Sequence, residues 1–206
     1  VINLLKGAST VFHLAAINGT RNFYDIPDRV LEVGILGTHN VTKACVELGI
    51  NHLVFASSSE VYQEPKQIPT TEEETCRVPE INNPRLSYGG SKIAGELIVL
   101  NYLRNYNTSF TIFRPHNVYG PEMGFDHVIP ELIKKIFKSS NSKCQTSEKV
   151  EIAIEGDGTE TRSFIYIDDA IDAIRVCAET GERNNIFNIG TEEEKTIKNL
   201  VISIGG

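Results

Sequence analysis

Short apolar runs alternate along this chain with stretches whose apolar residues recur at helical spacing. Val11-Phe12-His13-Leu14-Ala15, His52 to Ala56, Phe110-Thr111-Ile112-Phe113, Phe164-Ile165-Tyr166 and Ile186-Phe187-Asn188-Ile189 have the length and content of buried strands, and Ile152-Ala153-Ile154 is a further candidate. Between Pro27 and Leu48 the positions Val30, Leu31, Val33, Ile35, Val41, Ala44, Cys45 and Leu48 suit one helix that Gly49 ends. Further helices are expected from about Tyr88 to Tyr106, from about Val128 to Lys138, after a cap at Asp168 or Asp169 until Gly181, and from Thr196 onward. The segment holding Pro65, Pro69, Pro79 and Pro84 must be a long loop, and loops of that length in compact domains are usually functional. Ser139 to Lys149 is polar and expected to be exposed, and Gly156-Asp157-Gly158 marks a turn.

Strand, helix, strand with few hairpin signals implies an α/β fold, a mostly parallel sheet covered on both faces. After about Gly120 the elements shorten and polar loops separate them, which suggests a main α/β layer and a smaller lobe. No run of 18 apolar residues is present, so no membrane segment is expected. Twenty basic residues against 27 acidic ones give 20 − 27 = −7, a balance that argues against a nucleic-acid or anionic-membrane surface. Cys45, Cys76, Cys144 and Cys177 lie far apart and read as reduced thiols of a cytoplasmic protein, with no metal site. The chain opens on Val1 and holds a single methionine, Met123, so it reads as a piece of a longer polypeptide.

The candidate chemistry starts at Tyr88-Gly89-Gly90-Ser91-Lys92. Four residues apart on a helix, the phenol and the ammonium share one face, and the cation is expected to lower the tyrosine pKa towards neutrality. Such a tyrosine can take a hydroxyl proton while hydride leaves the same carbon. The spacing alone is a weak signal, because Tyr62 and Lys66 repeat it beside Pro65, where a helix is not expected. Ser57-Ser58-Ser59 follows a strand end, the place where parallel sheets bind ligands, although such serines often only satisfy backbone groups at a turn.

In order and spacing, Phe12-His13-Leu14-Ala15-Ala16, Phe55 to Tyr62, Tyr88 to Lys92, Arg114-Pro115-His116-Asn117-Val118-Tyr119-Gly120-Pro121 and Gly156 to Asp169 together resemble the extended short-chain dehydrogenases/reductases. Within them the match is to the NAD-dependent nucleotide-sugar epimerase/dehydratase branch, from Val11 to about Leu200. The resemblance implies a Rossmann-type doubly wound sheet in residues 1–120. Residues 121–206 would contribute to a substrate-binding lobe, with 162–190 returning to the main domain. It implies Tyr88 as catalytic base, Ser58 as its partner and Lys92 as the residue that holds the nicotinamide ribose. Leu14, Ala15 and Ala16 would run along NAD, with Ser57 and Pro115 also on the cofactor side. Asn117 would bind the sugar nucleotide and Arg162 its diphosphate, for which a guanidinium fork is suited. His116 and His127 count as pocket lining, and a homodimer would form through the helices of Pro27 to Leu48 and Tyr88 to Tyr106.

Departures from the pattern matter. Gly34 stands where the family usually has asparagine, and His116 where an aromatic residue commonly precedes Asn117. No glycine-rich GxxGxxG loop precedes Val11, so the first two βαβ repeats and the end of the lobe are expected outside these 206 residues. The leading expectation is C4 oxidation to a 4-keto sugar followed by epimerisation, as in UDP-glucose 4-epimerase. The second is a 4,6-dehydratase or UDP-glucuronate decarboxylase that uses Glu60, and the third a non-catalytic NAD-like interaction module.

Overall fold

A computed structural model describes residues 1–125, 127–142, 152–154, 156–180 and 183–205. In chain order the elements are α1 (Ile2–Leu5), β1 (Thr10–His13), α2 (Thr20–Asp25), α3 (Pro27–Leu31), a π-helical turn (Glu32–Gly37), α4 (Thr38–Glu47) and β2 (His52–Ala56). Then come α5 (Ser87–Tyr102), β3 (Ser109–Pro115), β4 (Asn117–Tyr119), α6 (Val128–Ser142), β5 (Thr161–Tyr166), α7 (Ile167–Glu179), β6 (Asn185–Ile189), β7 (Glu194–Thr196) and α8 (Ile197–Gly205).

The chain divides into two compact units, Val1–His116 with Asp168–Ile189, and Asn117–Ile167 with Gly190–Gly206. These boundaries differ from the expected 1–120 and 162–190 because β4 pairs with β5, which draws Asn117–Tyr119 and Thr161–Tyr166 into the second unit.

The first unit is built on a four-stranded parallel sheet in the order β1-β2-β3-β6. Its centre is β2, where Leu53, Val54 and Phe55 are all but fully buried, so both pleat faces are covered there. Leu53 and Phe55 pack with Val11, Cys45, Val99, Leu103 and Ile112 into the main core. The cover is not complete: Phe12, on the opposite pleat of edge strand β1, is half exposed. The expected helix from Pro27 to Leu48 forms as one run but contains the π-helical turn. There Gly34 faces α5 so closely that a Cβ would lie 2.5 Å from Ser91 Oγ. The glycine that departs from the family pattern therefore has a packing reason, since Ser91 fills the space a side chain would need. Gly49 ends the run with φ +63, and the bonds Gly49 N to Val46 O and Ile50 N to Cys45 O make a Schellman cap.

In the second unit, β5 pairs with β4 in parallel and with β7 antiparallel. The antiparallel strand β7 was not anticipated, because Glu194-Lys195-Thr196 carries no apolar pattern to announce it. Ile152–Ile154 does not form a strand. Asp168 and Asp169 lie inside the first turn of α7 rather than at its cap. Thr196 does cap α8, its Oγ1 accepting from Asn199 N at 3.0 Å. Gly181, Cys144 and most of the polar stretch to Lys149 lie outside the described residues. Among the described residues no helix is long and apolar enough to cross a membrane.

Candidate active site

Helix α5 presents Tyr88, Lys92 and Glu96 at successive four-residue steps, and all three are buried. Its first turn lies directly on the short 3-10 turn Ser59–Val61, where a Cβ at Gly89 would stand 2.9 Å from Glu60 O. Because β2 ends just before that turn, the strand end and the helix face meet. Lys92 Nζ donates to Ala56 O at 2.6 Å, and the Ser57 hydroxyl donates to Glu96. Ser58 Oγ caps the turn by accepting from Glu60 N at 3.2 Å, and the same hydroxyl lies near the Tyr88 phenol and acts on its pKa. Ser58, Tyr88 and Lys92 are thus brought together at the carboxyl edge of the parallel sheet.

The electrostatics correct one expectation. Lys92 does not draw the Tyr88 pKa towards neutrality. Burial pushes the phenol up to about 12, with the nearby Ser58 hydroxyl working against that rise and the Glu60 charge adding to it. The geometry explains the difference: Lys92 Nζ is spent on the Ala56 carbonyl and lies over ring faces, 5.5 Å from the centroid of Tyr88 and 5.2 Å from that of Phe55. Burial in turn brings Lys92 down to about 8, against the opposing charge of Glu96. His13 on β1 is brought to about 4 by burial and by the Lys92 charge, and its Nε2 pairs with Thr38 Oγ1 at 3.1 Å.

Several functional neighbours escaped the sequence reading. Arg85, on the 3-10 turn Pro84–Leu86, grips both oxygens of Glu60 at 2.7 and 3.1 Å. The same guanidinium lies 5.1 Å from the ring centroid of Phe23, and Phe23 stacks on Tyr88 with centroids 5.1 Å apart. Phe23 belongs to α2, a helix whose residues Thr20 to Asp25 bury only that one side chain and so give no periodic signal. Glu96 and Arg114 form a buried pair, Arg114 Nε and Nη2 donating to the two carboxylate oxygens at 2.8 and 2.6 Å. One signal was available: Arg114 is a charge closing the otherwise apolar strand Phe110–Phe113, and a buried charge requires a partner. Tyr62, the decoy of the tyrosine-lysine spacing, is buried and bonded to Arg114 Nη1 at 2.7 Å.

On the expected cofactor side, Leu14 and Ala15 are exposed just past β1, and Ala16 packs beside Phe23, Val30 and Tyr88. Pro115 ends β3 at the same sheet edge. The remaining predicted residues belong to the second unit. Asn117 is exposed and donates from Nδ2 to Ser163 O at 2.9 Å, tying β4 to β5. Arg162 is exposed and donates to the carbonyl of adjacent Thr161 at 2.7 Å. His127 is half buried and offers its carbonyl to Glu131 N at the start of α6.

Comparison with known proteins now decides the family. The NAD dependent epimerase/dehydratase family matches residues 1–190. The chain belongs to this epimerase/dehydratase family. A dTDP-D-glucose 4,6-dehydratase of Dictyostelium discoideum is 30% identical over 198 residues, covering 94% of this chain and 43% of the relative. A putative UDP-glucose 4-epimerase of Methanocaldococcus jannaschii is 33% identical over 199 residues, covering 95% of this chain and 59% of the relative. Among solved structures, MoeE5 in complex with UDP-glucose and NAD superposes with a TM-score of 0.83 at 30% identity, covering 98% of this chain and 63% of that one. The chain therefore spans roughly half the length of the relatives it matches.

For a member of the epimerase/dehydratase family, NAD is the group to test for fit. Lys92, Tyr88, Ser57 and Pro115 stand at one sheet edge, and His116 Nδ1, next to Pro115, is buried with no hydrogen-bond partner among the described residues. An orphaned polar atom at that edge suits a ligand that can pair it. These residues fit the nicotinamide-ribose half of the cofactor. The 206 residues hold no glycine-rich loop of the family's pattern for its pyrophosphate.

Proposed function

We propose that this chain carries the catalytic face of an NAD-dependent nucleotide-sugar 4-epimerase. The observation that carries the reading is the convergence of the Ser58 hydroxyl, the Tyr88 phenol and the Lys92 ammonium at the sheet's carboxyl edge. Bound NAD supplies a hydride acceptor and a positive ring charge. Tyr88 in its phenolate form, which the positive ring charge of bound NAD would favour against the rise caused by burial, takes the proton of the sugar C4 hydroxyl, with Ser58 donating to and orienting the same oxygen. Lys92, anchored on Ala56 O, would hold the nicotinamide ribose. Rotation of the resulting 4-keto sugar and reversal of these steps on its other face gives the C4 epimer.

Glu60 favours epimerisation over the alternatives. A dehydratase or decarboxylase needs that carboxylate to move a proton or to meet the sugar, yet both its oxygens are engaged by Arg85. In the second unit, Asn117 and Arg162 would recognise the sugar nucleotide, Arg162 through its diphosphate and His127 as lining. We propose further a homodimer through α3 to α5, where Leu36 and Leu97 are each 57% exposed. A cytoplasmic location is proposed with it, on the wide spacing of the four cysteines in the sequence.

The test is turnover of UDP-, GDP- and dTDP-sugars by the full-length protein with NAD, products identified by NMR. A C4 epimer that retains its water and carbon dioxide is the expected product. A 4-keto-6-deoxy sugar or a pentose would transfer the chain to the Glu60-dependent alternatives. Turnover unaffected by Tyr88→Phe would overturn the role of Tyr88 as base, and absence of turnover with every sugar nucleotide would favour an interaction module.

A further inference from the structure

Glu96 has no part in the proton transfers proposed above, yet it is among the most deeply buried charges of the first unit, 4% exposed beside Arg114 at 3%. Three donors converge on its carboxylate, the Ser57 hydroxyl and the Nε and Nη2 of Arg114. From Arg114 the bonding continues through Nη1 to Tyr62 Oη at 2.7 Å and to Glu72 O at 3.0 Å. Tyr62 Oη donates to Asn188 Oδ1 at 2.7 Å, and Asn188 N donates to Glu72 Oε1 at 2.7 Å. One ion pair therefore joins α5, the end of β2, the close of β3, β6 and the long loop after Tyr62. A buried pair is weak evidence for stability, because desolvation offsets much of the attraction. Its meaning lies in what it holds. Ser57 separates Ala56, whose carbonyl anchors Lys92, from Ser58, whose hydroxyl lies near the Tyr88 phenol.

We propose that Glu96 is a positioning residue for the reaction. Paired with Arg114, it locks Ser57 and so fixes Ser58 and the Ala56 carbonyl, while its charge, one helical turn from Lys92, keeps that side chain an ammonium. This rests on the reading of Ser58, Tyr88 and Lys92 as the catalytic set. The groups around Lys92 are Tyr88 and Glu96 on α5, His13 on β1, and the Phe55 ring and Ala56 carbonyl on β2. Glu60 faces Tyr88 from the turn, and Arg114 faces Glu96 from β3. Since burial keeps His13 neutral above about pH 4, Glu96 is the group that opposes the discharge of Lys92.

The experiment follows Lys92 by NMR titration of the full-length protein labelled with 13Cε-lysine, its signal assigned through Lys92→Arg. In Glu96→Gln the midpoint of Lys92 should fall by about one pH unit, and the alkaline limb of kcat should fall with it. If Glu96→Gln does not fold, Glu96→Gln/Arg114→Met removes both charges and carries the same titration. Ser57→Ala changes no charge and should lower kcat about tenfold, with KM and Tm near wild type. An unmoved Lys92 midpoint overturns the charge role, and an unmoved kcat in Ser57→Ala overturns the positional role. Because the titration needs no turnover, its outcome stands even if no nucleotide sugar proves to be a substrate.

Discussion

The two groups of predicted site residues are held in very different ways. At the carboxyl edge of the first unit, Ser57, Ser58, Tyr88 and Lys92 are buried, and Ser57 and Lys92 are each tied by a side-chain bond to another element. In the second unit, Asn117 and Arg162 are exposed, and each donates to a main-chain carbonyl of its own small sheet. The contrast matches the chemistry proposed for each group. Proton transfer requires reacting atoms fixed within hydrogen-bond reach, so it calls for buried and fully bonded side chains. Recognition of a charged ligand tolerates exposed side chains that form their bonds when the ligand arrives.

This difference can be broken from either side. The largest effect belongs to Tyr88→Phe, which should lower kcat by about two to four orders of magnitude with folding intact, as measured by turnover and thermal melting. Next comes Arg114→Met, which strands the buried Glu96 carboxylate and should destabilise the protein by about 3–5 kcal/mol in denaturant unfolding.

Acid should act on the first unit in a related way. Buried His13 and His52 have pKa values of about 4 in the folded state, against 6.5 for a free side chain. Between these values the unfolded chain binds the extra protons. Stability is therefore full above about pH 6.5 and is lost as pH falls towards 4, by at most about 3 kcal/mol for each histidine. Replacing His52, which pairs with Thr111 at 2.9 Å, by Gln should flatten part of that dependence in urea titrations run across the range. The smallest stability effect is expected for Asn117→Ala and Arg162→Ala, within about 0.5 kcal/mol of wild type. Both should instead raise KM for a nucleotide sugar, and an unchanged KM would remove the second unit's side chains from substrate recognition.

Much of the first unit was legible because its signals are local. Strand β2 was expected at His52 to Ala56 and forms there, since a short apolar run before a serine cluster has few other solutions. Gly49 ends its helix for a reason contained in one residue, the ease of a positive φ. Elements with little apolar content, α2 and β7, escaped because they are held by what packs on them. The departure at Gly34 made no sense along the chain, and it became intelligible only when Ser91, 57 residues later, was found occupying its side-chain space.

What the sequence by itself determined is the parallel α/β sheet, the placement of Ser58 at a strand end and of Tyr88 and Lys92 on one helix face. Periodicity and turn residues encode these directly. Only the tertiary structure decided the charge states and the company of those residues: a phenol raised rather than lowered, Glu60 gripped by Arg85, and Glu96 paired with Arg114. The physical reason is that burial and partnership depend on groups distant in sequence, and in a low-dielectric interior these terms outweigh the one-turn spacing of a tyrosine and a lysine.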